Sequence, residues 1–269
     1  MKLQLPATAL SPYVSHYWLS RNNRDTEHLV LPDGCVDVVY GVGGVTFGLA
    51  YGVATRKSFC AMTPDFHYLG ICFRPGQSRH FLKFAQNHLT DSSLSITGLA
   101  GLSPESFADE IASGEAFQRL DKALLDWVAR QPMESSAVDV ALATIDRCIG
   151  YVSIENVASQ VGVSRRQLER YFLRDVGISP KNYARIRRWQ YTFGLLRSRR
   201  SMALADIAQV AGYADQSHMS RDFRYFFGQS PGSVAVDAFV QEQVASSYYA
   251  ALERLHRHTT SQAYIGDLI

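Results

Sequence analysis

Residues 163–177 read VSRRQLERYFLRDVG, and residues 215–228 read DQSHMSRDFRYFFG. Each stretch carries a polar residue suited to start a helix, Ser164 in one and Asp215 in the other, continues through an Arg-bearing segment to aromatic residues, and ends on glycine. The likeness extends outward. Ala158 matches Ala208 and Gly162 matches Gly212 at an offset of 50. Leu168 and Met219, Phe172 and Phe223, Gly177 and Gly228, and Pro180 and Pro231 then match at an offset of 51, so one inserted residue separates the two registers. The repeated unit is a short helix with a small residue, a glycine turn, a second helix and a G-x-S-P exit.

Packing explains each shared position. In the first copy Ile154, Val157, Ala158 and Val161 form an apolar stripe at helical spacing. Ala158 is small because a second helix crosses it closely. Gly162 supplies a tight turn, which favours positive φ. Ser164 with Gln167 reads as a capping box. Leu168 and Phe172 point inward, which leaves Arg165, Arg166, Glu169 and Arg170 outward. In the second copy Asp215 caps, Met219 and Phe223 point inward, and Gln216, Ser217, Ser220 and Arg221 point outward. Arg pairs with guanine, Gln with adenine and Glu with cytosine in a major groove. Two such units in one basic segment favour DNA over an ordinary solvated helix pair.

The segment between the copies, SPKNYARIRRWQYTFGLLRS, predicts a helix over 180–197. Ser179 stands at its cap, and Tyr183, Ile186, Trp189, Phe193 and Leu196 form one apolar face. At 1.5 Å per residue it spans about 27 Å. That length suits a spacer holding two reading helices about one DNA turn apart. Lys181, Arg185, Arg187, Arg188, Arg197, Arg199 and Arg200 decorate it, with Lys181 and Arg188 the candidates for phosphate.

The charge is distributed accordingly. Residues 139–235 hold 14 Lys and Arg against 8 Asp and Glu, a net of +6, while the rest of the 269-residue chain carries a net of −4. Only one part of the molecule is built to meet a polyanion. Four scattered cysteines without a CxxC pair, Cys35, Cys60, Cys72 and Cys148, imply free thiols in a reducing cytoplasm. The N-terminus lacks the apolar core of a signal peptide. The uncharged run 38–55 is rich in Gly, Val, Tyr and Thr, which predicts strands and tight turns rather than a membrane span.

Residues 1–90 read as β-rich, with short apolar runs (HLVL, CVDVVY, VTFGLAYGV, HYLGICF) broken by PDG, GVGG and RPG. From about Leu94 the pattern turns helical. Ser103 and Pro104 open one helix that Gly114 stops, and Phe117, Leu120, Leu124 and Val128 mark another. The predicted fold class is α+β: a β-rich barrel or sandwich with following helices, then an all-α part of two helix-turn-helix units joined by a long helix. The expected division is a front domain at 1–131, a linker at 132–137, a DNA-binding domain at 138–236 and a helical tail at 237–269.

This layout resembles the AraC/XylS family of bacterial transcription regulators, through VASQVGVSRRQLERYF, GISPKNY and DIAQVAGYADQSHMSRDFRYFFGQSP. The resemblance covers about residues 138–235. It implies that Arg165, Arg166, Glu169 and Arg170, with Gln216, Ser217, Ser220 and Arg221, read bases. The family's usual Ser or Thr cap falls here at Ala203, and the tail is extra. LPDGCVDVVY and LGICFRPG more loosely resemble small β-barrel sensor domains attached to some members. That implies an effector-binding or dimerising front domain, and an activator working with RNA polymerase.

No catalytic constellation emerges. His16, His28, His67, His80 and His88 show neither HxH nor HExxH spacing, and GxSxG, P-loop and GxGxxG patterns are absent. No cofactor is implied. A metal on His28, Asp33 and Asp37 would need an accident of folding; the two aspartates read as turn residues. Arg21, Arg24, Arg56, Arg74 and Arg79 are the candidates to clamp an anionic effector, against the plainer reading of scattered surface charge. Two alternatives stay open: an alkylation-repair protein with a reactive cysteine on the same DNA module, and a constitutive DNA-binding protein with a purely structural front half.

Overall fold

The computed structural model describes residues 1–236 apart from 22–23, 114, 132 and 199–201. Gly114, Pro132, Arg199, Arg200 and the tail expected from 237 onward therefore lie outside the described residues.

The front half is built on strands β1 (Lys2–Gln4), β2 (Val14–Ser20), β3 (Glu27–Val30), β4 (Val36–Val42), β5 (Thr46–Tyr51), β6 (Ser58–Ala61), β7 (His67–Phe73) and β8 (Ser93–Ser95). Six form an open antiparallel sheet in the order β1-β2-β7-β4-β5-β8, and β3 pairs with β6 in a separate ribbon. The result is sandwich-like, not a closed barrel. The run 38–55 is the β4–β5 hairpin, as its composition predicts, and no helix among the described residues is long and apolar enough to cross a membrane.

Strand alternation divides the large sheet into two faces. Tyr17, Leu19, Val38, Tyr40, Ile71 and Phe73 are buried on one. Helices α1 (Ala108–Ser113) and α2 (Ala116–Arg130) cover that face. Tyr17 stacks on Phe117 at 6.0 Å and donates to Asp121 at 2.9 Å, and the hydroxyl of Tyr40 donates to the Leu102 carbonyl at 3.0 Å. Phe117, Leu120 and Leu124 are buried as their spacing predicts. Ser103 does cap here: its hydroxyl accepts from the Ser106 amide. The opposite sheet face looks toward the β3–β6 ribbon.

The second half is all helix: α3 (Ala137–Arg147), α4 (Ile154–Gln160), α5 (Arg165–Asp175), α6 (Pro180–Ser198), α7 (Leu204–Val210), α8 (Gln216–Phe227) and α9 (Pro231–Val236). Ser136, at the end of the expected linker, forms a capping box with Asp139 and starts α3. Asp139 in turn accepts from Arg79 and Gln77, both at 2.7 Å, so the helix start is pinned to the front half. One buried apolar cluster runs from Leu10 and Tyr17 through Val138 and Tyr183 to Phe227. The two halves share a core.

Gly150 and Gly162 have the same φ of +72° but different surroundings. A Cβ at Gly150 would stand 1.9 Å from the Ala184 carbonyl oxygen, while one at Gly162 meets open space. Gly162→Ala should therefore cost only the left-handed strain, about 1–2 kcal/mol. Gly150→Ala should cost at least about 2 kcal/mol more, because backbone must move. Urea denaturation of the two variants checks this; equal losses would contradict it.

Candidate nucleic-acid interface and an adjoining cavity

The sequence repeat is a repeat of hydrogen bonds. In α4–α5, the Val163 amide donates to the Ala158 carbonyl at 3.0 Å and Gly162 to Ser159 at 3.1 Å. In α7–α8, Tyr213 donates to Ala208 at 2.9 Å and Gly212 to Gln209 at 3.0 Å. Ser164 caps α5 with Gln167 reaching back, and Asp215 caps α8 by accepting from the His218 amide at 2.6 Å. Ala203 makes no side-chain cap on α7, whereas Ser153 caps α4. Leu168, Phe172, Met219 and Phe223 are fully buried. Fixing those inward positions fixes what faces out.

Arg165, Arg166 and Arg170 are exposed on α5, with Glu169 partly covered; Gln216, Ser217 and Arg221 are exposed on α8, with Ser220 partly covered. Each set lies on the second helix of its unit. Arg165 is bridged to Glu155 and to Glu169, so in the free chain it is held by carboxylates that a phosphate or a base would have to replace.

α6 differs from a rod with one apolar face. Tyr183, Ile186, Trp189 and Phe193 are buried as predicted, but so are Ala184, Gln190, Thr192 and Leu195. Its arginines serve packing. Arg185 pairs with Asp222 of α8 at 2.7 Å, and Arg187 with Asp146 of α3 at 2.8 Å. Arg188 lies 4.9 Å over the Tyr213 ring and donates to the Gly212 carbonyl. Of the two phosphate candidates, Lys181 is exposed and Arg188 is partly buried against the second unit.

A cavity of about 480 Å³ lies between the second face of the large sheet and the β3–β6 ribbon. Its floor is the other half of the strand alternation: His16 and Trp18 of β2, Asp37 and Val39 of β4, Cys72 of β7. Gly70 lets the Trp18 indole lie against the backbone, since a Cβ there would stand 1.9 Å from the ring. Asp37 accepts from that indole and from the Cys72 thiol. Asp33 accepts from the Cys35 amide at 2.8 Å, the turn bond its position in PDG predicts. Asp37, by contrast, sits within a strand, not in a turn. Its signal was available: it falls at period two between the core residues Val36 and Val38, as Cys72 falls between Ile71 and Phe73.

Electrostatics in this cavity are one-sided. Burial raises the Asp33 carboxyl to about 6, and burial with repulsion from Asp33 raises Asp37 to about 7. Burial, with help from Arg74, lowers His16 to about 4, and burial lowers His28. Both imidazoles are therefore neutral at pH 7. The Cys72 thiol is pushed well above its usual range by its hydrogen bond with Cys35, then by burial. Asp33, Cys35 and Cys72 place potential metal-ligating atoms within 4.8 Å of one another.

The five candidate arginines are not brought together. Arg21 donates to the carbonyls of Ala112 and Ser113, and Arg24 is exposed. Arg56 stacks on Tyr225 of α8, Arg74 donates to the Ser11 carbonyl, and Arg79 pairs with Asp139. None lines the cavity, which has no Lys or Arg among its lining side chains.

Residues 157–235 match a family described as a helix-turn-helix domain, and residues 3–95 match one described as a domain of unknown function, DUF6597. The chain is 35% identical over 85 residues to the HTH-type transcriptional regulator GbdR of Pseudomonas aeruginosa, covering 30% of this chain and 22% of that protein. It is 31% identical over 86 residues to the transcriptional activator NphR of Rhodococcus sp, covering 30% and 24%. These matches span less than a quarter of the two relatives. An AraC-type transcriptional regulator from Chromobacterium violaceum is 26% identical, covering 41% of this chain and 95% of that structure, with a TM-score of 0.35. The duplicated caps and turns agree with the family match, and residues 157–235 form a helix-turn-helix domain.

Proposed function

We propose that this chain is a sequence-specific DNA-binding transcriptional activator governed by a small molecule in its front domain. The observation that carries the reading is the duplicated α4–α5 and α7–α8 geometry, with exposed arginines on each second helix. In this reading Arg165, Arg166, Glu169 and Arg170 read one half-site, and Gln216, Ser217, Ser220 and Arg221 the other. Double-stranded promoter DNA, RNA polymerase and a second copy of the chain are its partners, and the cytoplasm its compartment. The working division is a β-rich domain at 1–131, a connection at 132–137 and the DNA-binding domain at 138–236.

Control by the front half is supported by contacts onto α6. The Gln190 amide donates to the Pro32 carbonyl at 3.3 Å, and a Cβ at Gly34 would stand 2.7 Å from the Tyr183 ring. The turn 32–35 that carries Asp33 into the cavity therefore rests on the helix between the two reading units. Contact also reaches α8, where the Lys57 amide donates to the Phe226 carbonyl at 2.7 Å. The repair alternative is disfavoured by Cys72, whose thiol is buried and held protonated, the opposite of an activated nucleophile.

Arg170→Ala and Arg221→Ala should each lose about 1–3 kcal/mol on the specific site and relax preference at one base pair. Wild-type footprints from both variants would refute the reader assignment. Lys181→Ala should lower the salt dependence of DNA affinity by about one counterion. Arg188→Ala should instead lower the melting temperature and leave that slope unchanged. A salt titration with a melting curve on each variant separates the roles; a reduced slope for Arg188→Ala would make it a phosphate contact.

Inserting two residues near Arg188 should rotate the second unit by roughly 200° and shift it about 3 Å. Specific footprints should vanish while weak, salt-sensitive binding persists. A folded insertion variant, verified by circular dichroism, that still protects both half-sites would overturn the rigid-spacer reading.

A further inference from the structure

We propose that the cavity between the large sheet and the β3–β6 ribbon binds a small organic cation, an ammonium or amidinium group on an apolar body, with Asp37 and Asp33 receiving the charge. The proposal rests on the reading of the front domain as an effector domain, and it adds the ligand's chemical class.

Three features of the cavity converge. The first is size: about 480 Å³ falls within the range of small-molecule sites and far exceeds the room a single ion needs. The second is charge. The lining offers no Lys or Arg side chain, the nearest imidazoles, His16 and His28, are neutral, and of its three carboxylates Asp91 is taken up by the Thr55 amide and hydroxyl, which leaves Asp33 and Asp37. Their partners from the surrounding elements are weak or neutral donors: the Trp18 indole, the Cys35 amide and the Cys35 and Cys72 thiols. Arg187, across the turn on α6, pulls Asp33 downward but is bridged to Asp146. Burying carboxylates with this little compensation is costly in the empty state, and a cation entering the cavity reverses that cost.

The third feature is shape. Trp18, Phe47, Tyr51 and Tyr68 present aromatic surface to the space, and Phe59 stands half exposed on the ribbon that roofs it. Aromatic faces attract ammonium groups and cover the apolar remainder of a ligand. Trp18 is held between Gly70 below and His28, stacked 6.2 Å away, so this surface is preformed. An anion would meet these carboxylates with no Lys or Arg side chain in the lining to offset them, which disfavours the organic acids that the scattered arginines would have suited. A soft metal on Asp33, Cys35 and Cys72 is the rival: its donors are present, but it would leave most of the cavity empty and the aromatic wall without purpose.

The test uses the full chain without DNA, by calorimetry at pH 7. Hexyl, cyclohexylmethyl and 3-phenylpropyl bodies are each supplied as amine, alcohol and carboxylate. At least one amine should bind, with its alcohol and carboxylate counterparts weaker by roughly tenfold or more, as expected for a charge-assisted hydrogen bond. Asp37→Asn and Asp33→Asn should each weaken that amine to a similar degree. Both are near-isosteric, and a retained melting transition shows that they fold. No binding by any amine, equal binding of a matched alcohol or carboxylate, or an unchanged amine affinity in Asp37→Asn would overturn the proposal. So would tight zinc binding that Cys72→Ser abolishes while no amine binds. DNA binding by the same preparation, scored separately by footprint, distinguishes failure of this inference from failure of the regulator reading.

Discussion

The position of α6 is the constraint on which the rest depends. Trp189 is fully buried, with its ring centroid 5.7 Å from Phe226 and 5.6 Å from Phe193, and this aromatic group seats α8. One turn and a half earlier, Tyr183 is equally buried, donates to Asp146 of α3 at 2.7 Å and lies against Gly34 of the front half. A helix fixed on one side only could slide or rotate. Here α3, α8 and the 32–35 turn each set a different face, so neither helix-turn-helix unit moves without disturbing another contact. The arginines that would otherwise be free surface charge, Arg185 and Arg187, reinforce this by pairing with Asp222 and Asp146.

That enclosure joins the two halves energetically. The Asp33 side chain projects to the cavity while its neighbours Pro32 and Gly34 touch α6. A ligand that changed the state of Asp33 would act one residue away from the two contacts onto α6, the helix that joins the helix-turn-helix units. Allosteric control requires differential contacts between two states, and this turn is where such a difference would arise. The second contact, from Lys57 at the edge of the β3–β6 ribbon to Phe226 and the Phe227 ring, ties the cavity's roof to α8.

The C-terminal half was legible because its constraints are local. A cap, a glycine at positive φ and an inward pair at fixed spacing leave a signature within about twenty residues, and Ser164, Gly162 and Leu168 occupy the places their types demand. The spacer was legible as a helix but not as an enclosed one. Gln190 and Thr192 lie outside the apolar face that the spacing predicts, yet they are buried, through a contact about 160 residues away and one within the helix itself. In the front half the strand runs are visible, but β2, with Tyr17 and Trp18 on opposite faces, is not among them. Which face of an alternating strand meets a second layer depends on the β3–β6 pairing, which no local pattern encodes. The arginines are no guide to a binding site for the same reason: their number says nothing of Asp139, Tyr225 or the Ser11 carbonyl, which hold three of them.

Native-state hydrogen exchange of the full chain tests the shared core most directly. If α6 is locked by sheet and helices together, its amides from Tyr183 to Leu196 will exchange with the same opening free energy and denaturant dependence as those of β4 and β7. If α6 instead opens with the other C-terminal helices at lower free energy while the central strands stay protected, the halves are separate cooperative units, and the account of one core spacing both reading helices is contradicted.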